Sequence, residues 1–137
     1  MWKGDTWRAP EKKDVMEQKL IVILTETEKR TALIGRRFCR LQFAKVDLVG
    51  AVFRQADLEG ARFMLADLHE ADFRQANLRG AEFSLCDLYG ADFTDAYLEK
   101  ATFRRSLGLS SALRTYIRSH GGVVLDTSEG IWHAEGR

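Results

Sequence analysis

The feature that most constrains the fold is a repeat of five residues in the middle of the chain. A large apolar residue, Phe or Leu in alternation, occupies every fifth position from Phe43 to Phe103. Within 51–101, the residue two places before each large one is Ala, with Cys86 as the exception. A longer period of twenty lies over this one, since the segments FRQADLEGARFMLADL (53–68) and FRQANLRGAEFSLCDL (73–88) match at eleven of sixteen positions. Self-similarity of this kind is typical of a solenoid.

A period of five excludes both a long helix and a straight strand. Residues five apart on an α-helix point roughly 140° away from each other, given 3.6 residues per turn, and on a strand they alternate between the two faces. A chain that turns a corner every five residues keeps all the large side chains inside. Because twenty is four times five, each coil has four sides, and the large residues form four columns: Phe43, Phe63, Phe83 and Phe103; Leu48, Leu68 and Leu88; Phe53, Phe73 and Phe93; Leu58, Leu78 and Leu98.

The five-residue units also carry a family resemblance. ADLEG, ADLHE, ANLRG and CDLYG resemble the A(D/N)LXX signature of the pentapeptide-repeat family, whose members form right-handed quadrilateral β-helices. The resemblance implies an all-β, parallel β-helix of about 3.5 coils over residues 36–105. Departures occur at the ends, with Arg36, Leu41 and Val46 at small-residue positions and Gly108 at a large one. We therefore expect the helix to stop near Arg105.

The flanking segments, 1–35 and 106–137, are predicted to cap the coil, because an open solenoid end exposes unpaired backbone and core. KLIVILT (19–25) indicates a strand and TETEKR (25–30) a polar turn. The preceding arm contains Trp2 and Trp7, which dock either on the first coil or on a partner. After the coil, a helix with one apolar face is predicted, with Ser110 or Ser111 as its N-cap and Gly121 as its C-terminal stop, and a short strand (122–126) and a tail follow. That face consists of Leu109, Leu113, Tyr116 and Ile117.

The composition is that of an ordinary soluble domain, with 45% hydrophobic and 30% charged residues. The longest apolar run, Leu20 to Leu24, is too short to span a bilayer. Charged residues near the N-terminus occupy the place where a signal peptide has its apolar core. We expect a cytoplasmic protein that does not enter a membrane.

No pattern in the sequence indicates catalysis, a cofactor or a metal. The predicted interior holds only Phe, Leu, Ala and Cys86, and neither Cys39 nor Cys86 follows a metal-binding spacing. The histidines, His69, His120 and His133, stand apart in sequence without a second ligand at a recognised spacing. We therefore predict no catalytic residue, no metal site and no enzyme activity.

The outward positions contain an apolar group that favours protein binding. Met64, Leu65 and Leu85 are predicted to project from one wall of the coil, and Val49, His69 and Tyr89 from the next. We expect them to form one continuous patch, which a protein partner or a second copy in a homodimer would cover. The function that follows is a non-catalytic protein–protein interaction module or scaffold.

Two other functions stay open. The resemblance implies one of them, since some pentapeptide-repeat proteins mimic B-form DNA and bind DNA gyrase or topoisomerase, which needs a strongly acidic wall. Residues 36–99 carry 8 basic and 11 acidic residues, 8 − 11 = −3. The other is binding of nucleic acid or an acidic surface through the basic segment 100–125, which has 5 basic residues and no acidic one, among them Arg104, Arg105, Arg114 and Arg118. We rank protein binding above both.

Overall fold

The computed structural model describes residues 19–20, 26–31 and 33–125, and these form a four-sided parallel β-helix with a cap at each end. The elements in chain order are β1 (Lys19–Leu20), α1 (Glu26–Thr31), β2 (Gln42–Ala44), β3 (Arg62–Met64), β4 (Glu82–Ser84), β5 (Thr102–Arg104), α2 (Ser111–Ser119) and β6 (Val123–Leu125). The six strands make one parallel sheet in sequence order. The predicted right-handed parallel β-helix is confirmed.

The coils stack with the predicted offset of twenty residues. Phe63 pairs with Phe43 on one side and with Phe83 on the other. The other three walls carry isolated parallel bridges at the same offset, such as Asp57 to Asn77. Each residue therefore lies above the equivalent residue of the next coil, and outward side chains form straight columns.

The core contains the large residues at the predicted positions. Every Phe and Leu of the four columns, from Phe43 to Phe103, is at most 2% exposed. Phenylalanine rings of one column are stacked, as in the pair Phe63 and Phe83 with centroids 4.9 Å apart. Rings of the two opposite columns meet edge to face, with Phe63 and Phe73 at 5.9 Å and 83°. Both arrangements are favourable for aromatic pairs, and the inward positions between them hold small side chains, mostly Ala.

The corners all use a left-handed backbone, but they are closed in two ways. Every fifth residue from Gly35 to Arg105 has a positive φ, and ten of these residues are not glycine. On three walls a backbone bond closes the corner, as from Ala76 N to Phe73 O at 3.0 Å, which is the pattern of a type II turn. The wall of Phe63 has no such bond within 33–125. We call this wall, which contains β2–β5, the strand wall, and the other three the turn walls.

Coil pairing extends slightly beyond the predicted limits of 36 and 105. Gly35 N donates to Arg54 O at 2.9 Å, and Leu107 N donates to Cys86 O at 2.8 Å. The chain leaves the coil at Gly108, where φ is 88°. A Cβ there would come within 2.4 Å of Tyr89 N, so glycine is required for this exit.

The N-terminal cap differs from the prediction at one element. The segment predicted as a polar turn includes α1, a helix of six residues. The helix is stabilised by its position on the first coil rather than by its own sequence, because Lys29 O accepts a hydrogen bond from Val52 N at 2.6 Å and the Lys29 side chain is buried. Of the strand predicted over 19–25, β1 lies in the described part, and residues 21–25 lie outside it. Trp2, Trp7 and the tail after Leu125 also lie outside the described residues.

The C-terminal cap forms as predicted. The Ser110 side chain accepts a hydrogen bond from Leu113 N at 3.1 Å and caps α2. Ile117 of this helix is fully buried. The helix also satisfies backbone groups of the last coil, because Asp95 N donates to Tyr116 Oη at 2.9 Å. The cap therefore covers the last coil with both apolar and polar contacts.

Candidate functional site

The outward aspartates on the turn walls have a mainly structural role. In each case Oδ1 accepts a hydrogen bond from the backbone N–H two residues later, at 3.0 to 3.3 Å, and Asn77 does the same. This is the Asx turn that Asp and Asn favour. The residues are Asp47, Asp57, Asp67, Asp72, Asn77, Asp87 and Asp92. Asn serves as well as Asp in this role, so the carboxylate charge is not required for the turn.

Asp72 also joins two coils through arginine. Its Oδ2 lies 2.8 Å from the Arg54 guanidinium and 2.9 Å from that of Arg74. Partial burial raises the pKa of the Asp72 carboxyl, but hydrogen bonds from the Arg74 side chain and backbone and from the Arg54 side chain outweigh this effect and lower the pKa to about 2. This carboxylate is a structural ion-pair partner.

Other acids of the walls are paired in the same manner. Arg79 Nε lies 3.3 Å from Glu99 Oε1, and the same guanidinium lies over the Tyr97 ring at 4.5 Å. Arg62 Nε lies 3.8 Å from Glu82 Oε1. The walls therefore present alternating charges rather than an unbroken acidic surface.

The predicted apolar residues of the strand wall point outward. Met64, Leu65 and Leu85 are 46%, 46% and 48% exposed. Leu65 and Leu85 occupy corners, with φ of 55° and 56°. A left-handed backbone is unfavourable for a bulky L-residue, so these leucines are exposed and conformationally strained at once.

The neighbouring turn wall carries the other three predicted residues. Val49 and Tyr89 are exposed, and the rings of His69 and Tyr89 stack with centroids 5.7 Å apart. This wall does not join the strand wall as one continuous apolar patch. Asp67 and Asp87 lie between the two groups. Along each coil the outward residues are first the corner leucine, then the aspartate and then the residue with the aromatic ring. The apolar surface is therefore divided into two strips.

Sequence reasoning missed two features of this region. Leu107, which is 58% exposed, pairs with Asp87 and adds an apolar residue at the end of the aspartate column. In addition, ligand atoms of Asp67, His69 and Asp87 lie within 4.8 Å of one another. The sequence does contain this spacing, since His69 follows Asp67 by two residues and Asp87 follows Asp67 by twenty. The spacing indicates a cluster only when the register of the coils is known.

The predicted basic end is distributed over two elements. Arg104 and Arg105 are exposed on the last coil of the strand wall, where Arg104 pairs with Ser84 on one side and with Leu125 of β6 on the other. Arg118 is exposed on α2, and Arg114 on the same helix is half-buried, with Nε donating to Leu109 O at 2.9 Å. Arg104 and Arg105 therefore continue the columns of the strand wall.

The two cysteines are not activated nucleophiles. Burial raises the pKa of the Cys86 thiol to about 11, against a smaller opposing effect of backbone hydrogen bonds. Burial and the neighbouring Asp57 carboxylate also raise the pKa of Cys39 to about 11. Both thiols are protonated at neutral pH, and a thiol reacts as the thiolate.

Within the part of the chain that the structure describes, no helix is long and apolar enough to cross a membrane.

Comparison with known proteins bears on the identity of the coil. The family model described as pentapeptide repeats matches residues 37–69 and 66–105 in 8 copies. A search of curated proteins finds no significant match. The matches thus cover the same residues as the coil.

Several solved structures resemble this chain at low sequence identity. A pentapeptide repeat protein, Rfr23, from the cyanobacterium Cyanothece 51142 has 22% identity and a TM-score of 0.46, covering 66% of this chain and 56% of its own. QnrB1, a plasmid-mediated fluoroquinolone resistance protein, has 25% identity and a TM-score of 0.37, covering 54% and 46%. A pentapeptide repeat protein from the Arabidopsis thaliana thylakoid lumen has 22% identity and a TM-score of 0.24, covering 72% and 85%.

The chain spans about half the length of the first two of these structures. The family assignment therefore depends on the family model, which matches half of this chain, and on the register of the coils. On both grounds, this chain belongs to the pentapeptide-repeat family.

Proposed function

We propose that this chain is a rigid, non-catalytic protein-interaction module that docks through the strand wall around Met64, Leu65 and Leu85. The observation that carries the proposal is the pair of leucines at exposed corners with positive φ. Other corners adopt the same backbone with Gly, Gln, Lys or Asp, so the fold does not need leucine at this place. The backbone strain is common to the corners of the coil, so the distinguishing feature is the exposed apolar side chain, and exposed apolar surface of this kind marks interaction sites.

Rigidity supports the same function. Each coil is bonded to the next at successive positions, so the outward columns have fixed spacing. A surface that is ordered before binding loses little conformational entropy when a partner docks. The second strip, with Val49, His69 and Tyr89, extends the surface around the edge of the wall, and Leu107 adds an exposed apolar residue at the end of the aspartate column.

Charge indicates the chemistry of the partner. Arg104 and Arg105 continue the columns of Met64 and Leu65, and both are exposed. A partner that covers the leucines and extends as far as the last coil of the wall would meet two cations. We therefore expect a protein surface with an apolar centre and an acidic edge.

The test is a pair of charge substitutions, Leu65→Glu with Leu85→Glu. The chain offers a matched control, Gln55→Glu with Gln75→Glu, because these corners have φ of 61° and lie on the opposite wall. Both variants should keep the wild-type circular dichroism spectrum. Only the leucine variant should lose a protein captured from lysates of the source cell, or change from oligomer to monomer in light scattering. Equal association by wild type and both variants would contradict the proposal.

Gyrase binding through DNA mimicry is less well supported. Asp72, Glu82 and Glu99 form ion pairs with arginines of the walls, and the net charge of 36–99 is only −3. A DNA mimic must instead present a dense row of unpaired negative charges. We expect no inhibition and no drug protection in gyrase supercoiling assays, and protection at low micromolar protein would reverse this ranking.

The basic end remains the alternative if the leucine strip is ordinary surface. Segment 100–125 has five cations and no acid. Binding of nucleic acid or an acidic surface there would weaken steeply as salt concentration rises, whereas binding through the leucines would not. Arg104→Ala with Arg105→Ala would then abolish the association that the leucine variant retains.

A further inference from the structure

Three side chains at the edge between the two apolar strips have the composition of a metal site. His69 Nδ1 lies 3.2 Å from Asp87 Oδ2 and 3.8 Å from Asp67 Oδ1. Four ligands at about 2.1 Å from a tetrahedral Zn²⁺ are about 3.4 Å from one another. The two distances from His69 are close to this value, and ligand atoms of all three residues lie within 4.8 Å of one another.

The ligands are held in place by contacts that do not consume them. Oδ1 of Asp67 and of Asp87 accepts the backbone N–H two residues later, which fixes each carboxylate. On Asp87 this leaves Oδ2, the atom nearest the His69 ring, whereas on Asp67 the nearest atom is Oδ1 itself, which keeps a second lone pair for an ion. The His69 ring is stacked on Tyr89. Such ordering lowers the entropy cost of bringing three ligands to one ion.

The coil itself does not require a histidine at this position. One coil earlier in the same column stands Val49, and there the aspartate, Asp47, pairs with Lys29 at 3.2 Å instead. The equivalent outward position on the other turn walls holds Arg74 or Arg79 without loss of the Asx turn. His69 is thus an optional residue in the fold, placed between two carboxylates.

We propose that Asp67, His69 and Asp87 bind a divalent first-row transition ion, with Zn²⁺ as the best fit. One imidazole and two carboxylates match the nitrogen and oxygen ligands of zinc, whereas Mg²⁺ and Ca²⁺ prefer oxygen ligands alone. Three protein ligands leave a fourth position open to water or to a side chain of another protein. The ion would also remove negative charge between the two apolar strips.

The experiment is isothermal titration of the metal-free protein with ZnCl₂, and with MgCl₂ for comparison. His69→Gln and Asp87→Asn remove one ligand each, and Asn keeps the Asx turn, as Asn77 shows in this chain. The matched control is Asp92→Asn, which changes an equivalent turn carboxylate away from the cluster. Melting curves in EDTA establish that each variant folds.

The wild type and Asp92→Asn should bind one Zn²⁺ per chain with equal affinity and prefer it to Mg²⁺. His69→Gln and Asp87→Asn should each weaken binding by about tenfold or more. Absence of zinc binding by the folded wild type would overturn the proposal, as would wild-type affinity in either ligand variant or an equal loss in Asp92→Asn. The measurement needs no protein partner, so its outcome is independent of the docking proposal.

Discussion

The corners of the strand wall and those of the turn walls have the same backbone conformation but are stabilised by different contacts. On the turn walls a backbone bond closes each corner, and an Asp or Asn side chain often holds the peptide before it. On the strand wall both devices are absent from the described coils, and three-residue strands run between the corners. The residue before each large one there is Gln42, Arg62, Glu82 or Thr102 rather than Asp or Asn.

Inward small residues replace part of the missing support on the strand wall. Cys86 N donates to Ser106 Oγ at 3.2 Å, and Cys86 Sγ lies 3.2 Å from Phe63 O. On the turn walls the equivalent inward residues of the central coils are Ala. Because Cys86 and Ser106 supply this support from inside, no outward side chain is needed to close the corner between them. This difference explains why the exposed apolar residues Met64, Leu65 and Leu85 can be accommodated there.

The largest expected effect tests whether the two kinds of wall share one core. Phe63→Ala on the strand wall and Phe73→Ala on a turn wall should each lower the free energy of unfolding by about 3 to 5 kcal/mol. Both rings are fully buried and stacked in their columns. Urea unfolding followed by circular dichroism measures the change. A loss below 1 kcal/mol at one wall only would show that this wall is not part of the common core.

The repeat explains why so much of the fold could be predicted from the sequence. A period of five combined with a period of twenty determines which side chain is inside and which residue lies above it, as Phe63 and Phe83 show. The difference between walls was also present in the sequence, as the absence of Asp and Asn before Phe63 and Phe83. It has meaning only once the hydrogen bonds of the corners are known.

Other features depended on tertiary context. The helix α1 has no apolar periodicity of its own, and it is stabilised by packing on the end of the coil. The cluster of Asp67, His69 and Asp87 joins residues from two coils, so no local spacing indicates it. The aspartates between the two apolar strips were visible in the sequence, but their effect on the patch depends on side-chain direction.

The next prediction compares the space available to the small inward residues that follow the corners of two different walls. The inward column of Ala66 on the strand wall also contains Val46, which is buried, and Cys86, whereas the column of Ala71 contains only Ala. Ala71→Val should therefore lower the free energy of unfolding by about 1 to 3 kcal/mol because of overpacking. Ala66→Val should cost less, since its column already accepts larger side chains. Thermal melts of the two variants decide this, and an equal loss would show that both columns are equally tight.

The third prediction uses the ion pairs of a turn wall. Asp72→Asn keeps the Asx turn but removes the charge between Arg54 and Arg74. Since both arginines are over 40% exposed, we expect a loss of about 1 kcal/mol at pH 7. Asp92→Asn, with its nearest arginine nitrogen at 3.9 Å, is the control and should cost less.

The pH dependence of Asp72 gives a second measurement on the same variant. The folded pKa of about 2 lies below the ordinary value of 3.8. Ionised Asp72 therefore stabilises the fold above pH 4, and this contribution disappears as the pH falls toward 2. The stability difference between wild type and Asp72→Asn should shrink over this range. A constant difference would mean that the arginines do not favour the ionised form.

The smallest expected effect concerns the corners of the strand wall, and it separates strain from function. Leu65→Gly with Leu85→Gly removes the side chains of two residues whose φ angles are 55° and 56°. Glycine has no Cβ penalty in this conformation, which is roughly 1 to 2 kcal/mol for an ordinary residue, but it has more entropy to lose on folding, about 0.5 to 1 kcal/mol. The leucines are half exposed, so each substitution also loses the burial of about half a side chain, roughly 1 kcal/mol. Because these contributions nearly cancel, we expect a melting temperature close to that of the wild type, together with loss of the association assigned to this wall. Gln55→Gly with Gln75→Gly should give the same stability change and keep the association. If the leucine variant instead unfolds at a clearly lower temperature than the glutamine variant, the leucines stabilise the strand wall and therefore have a structural role.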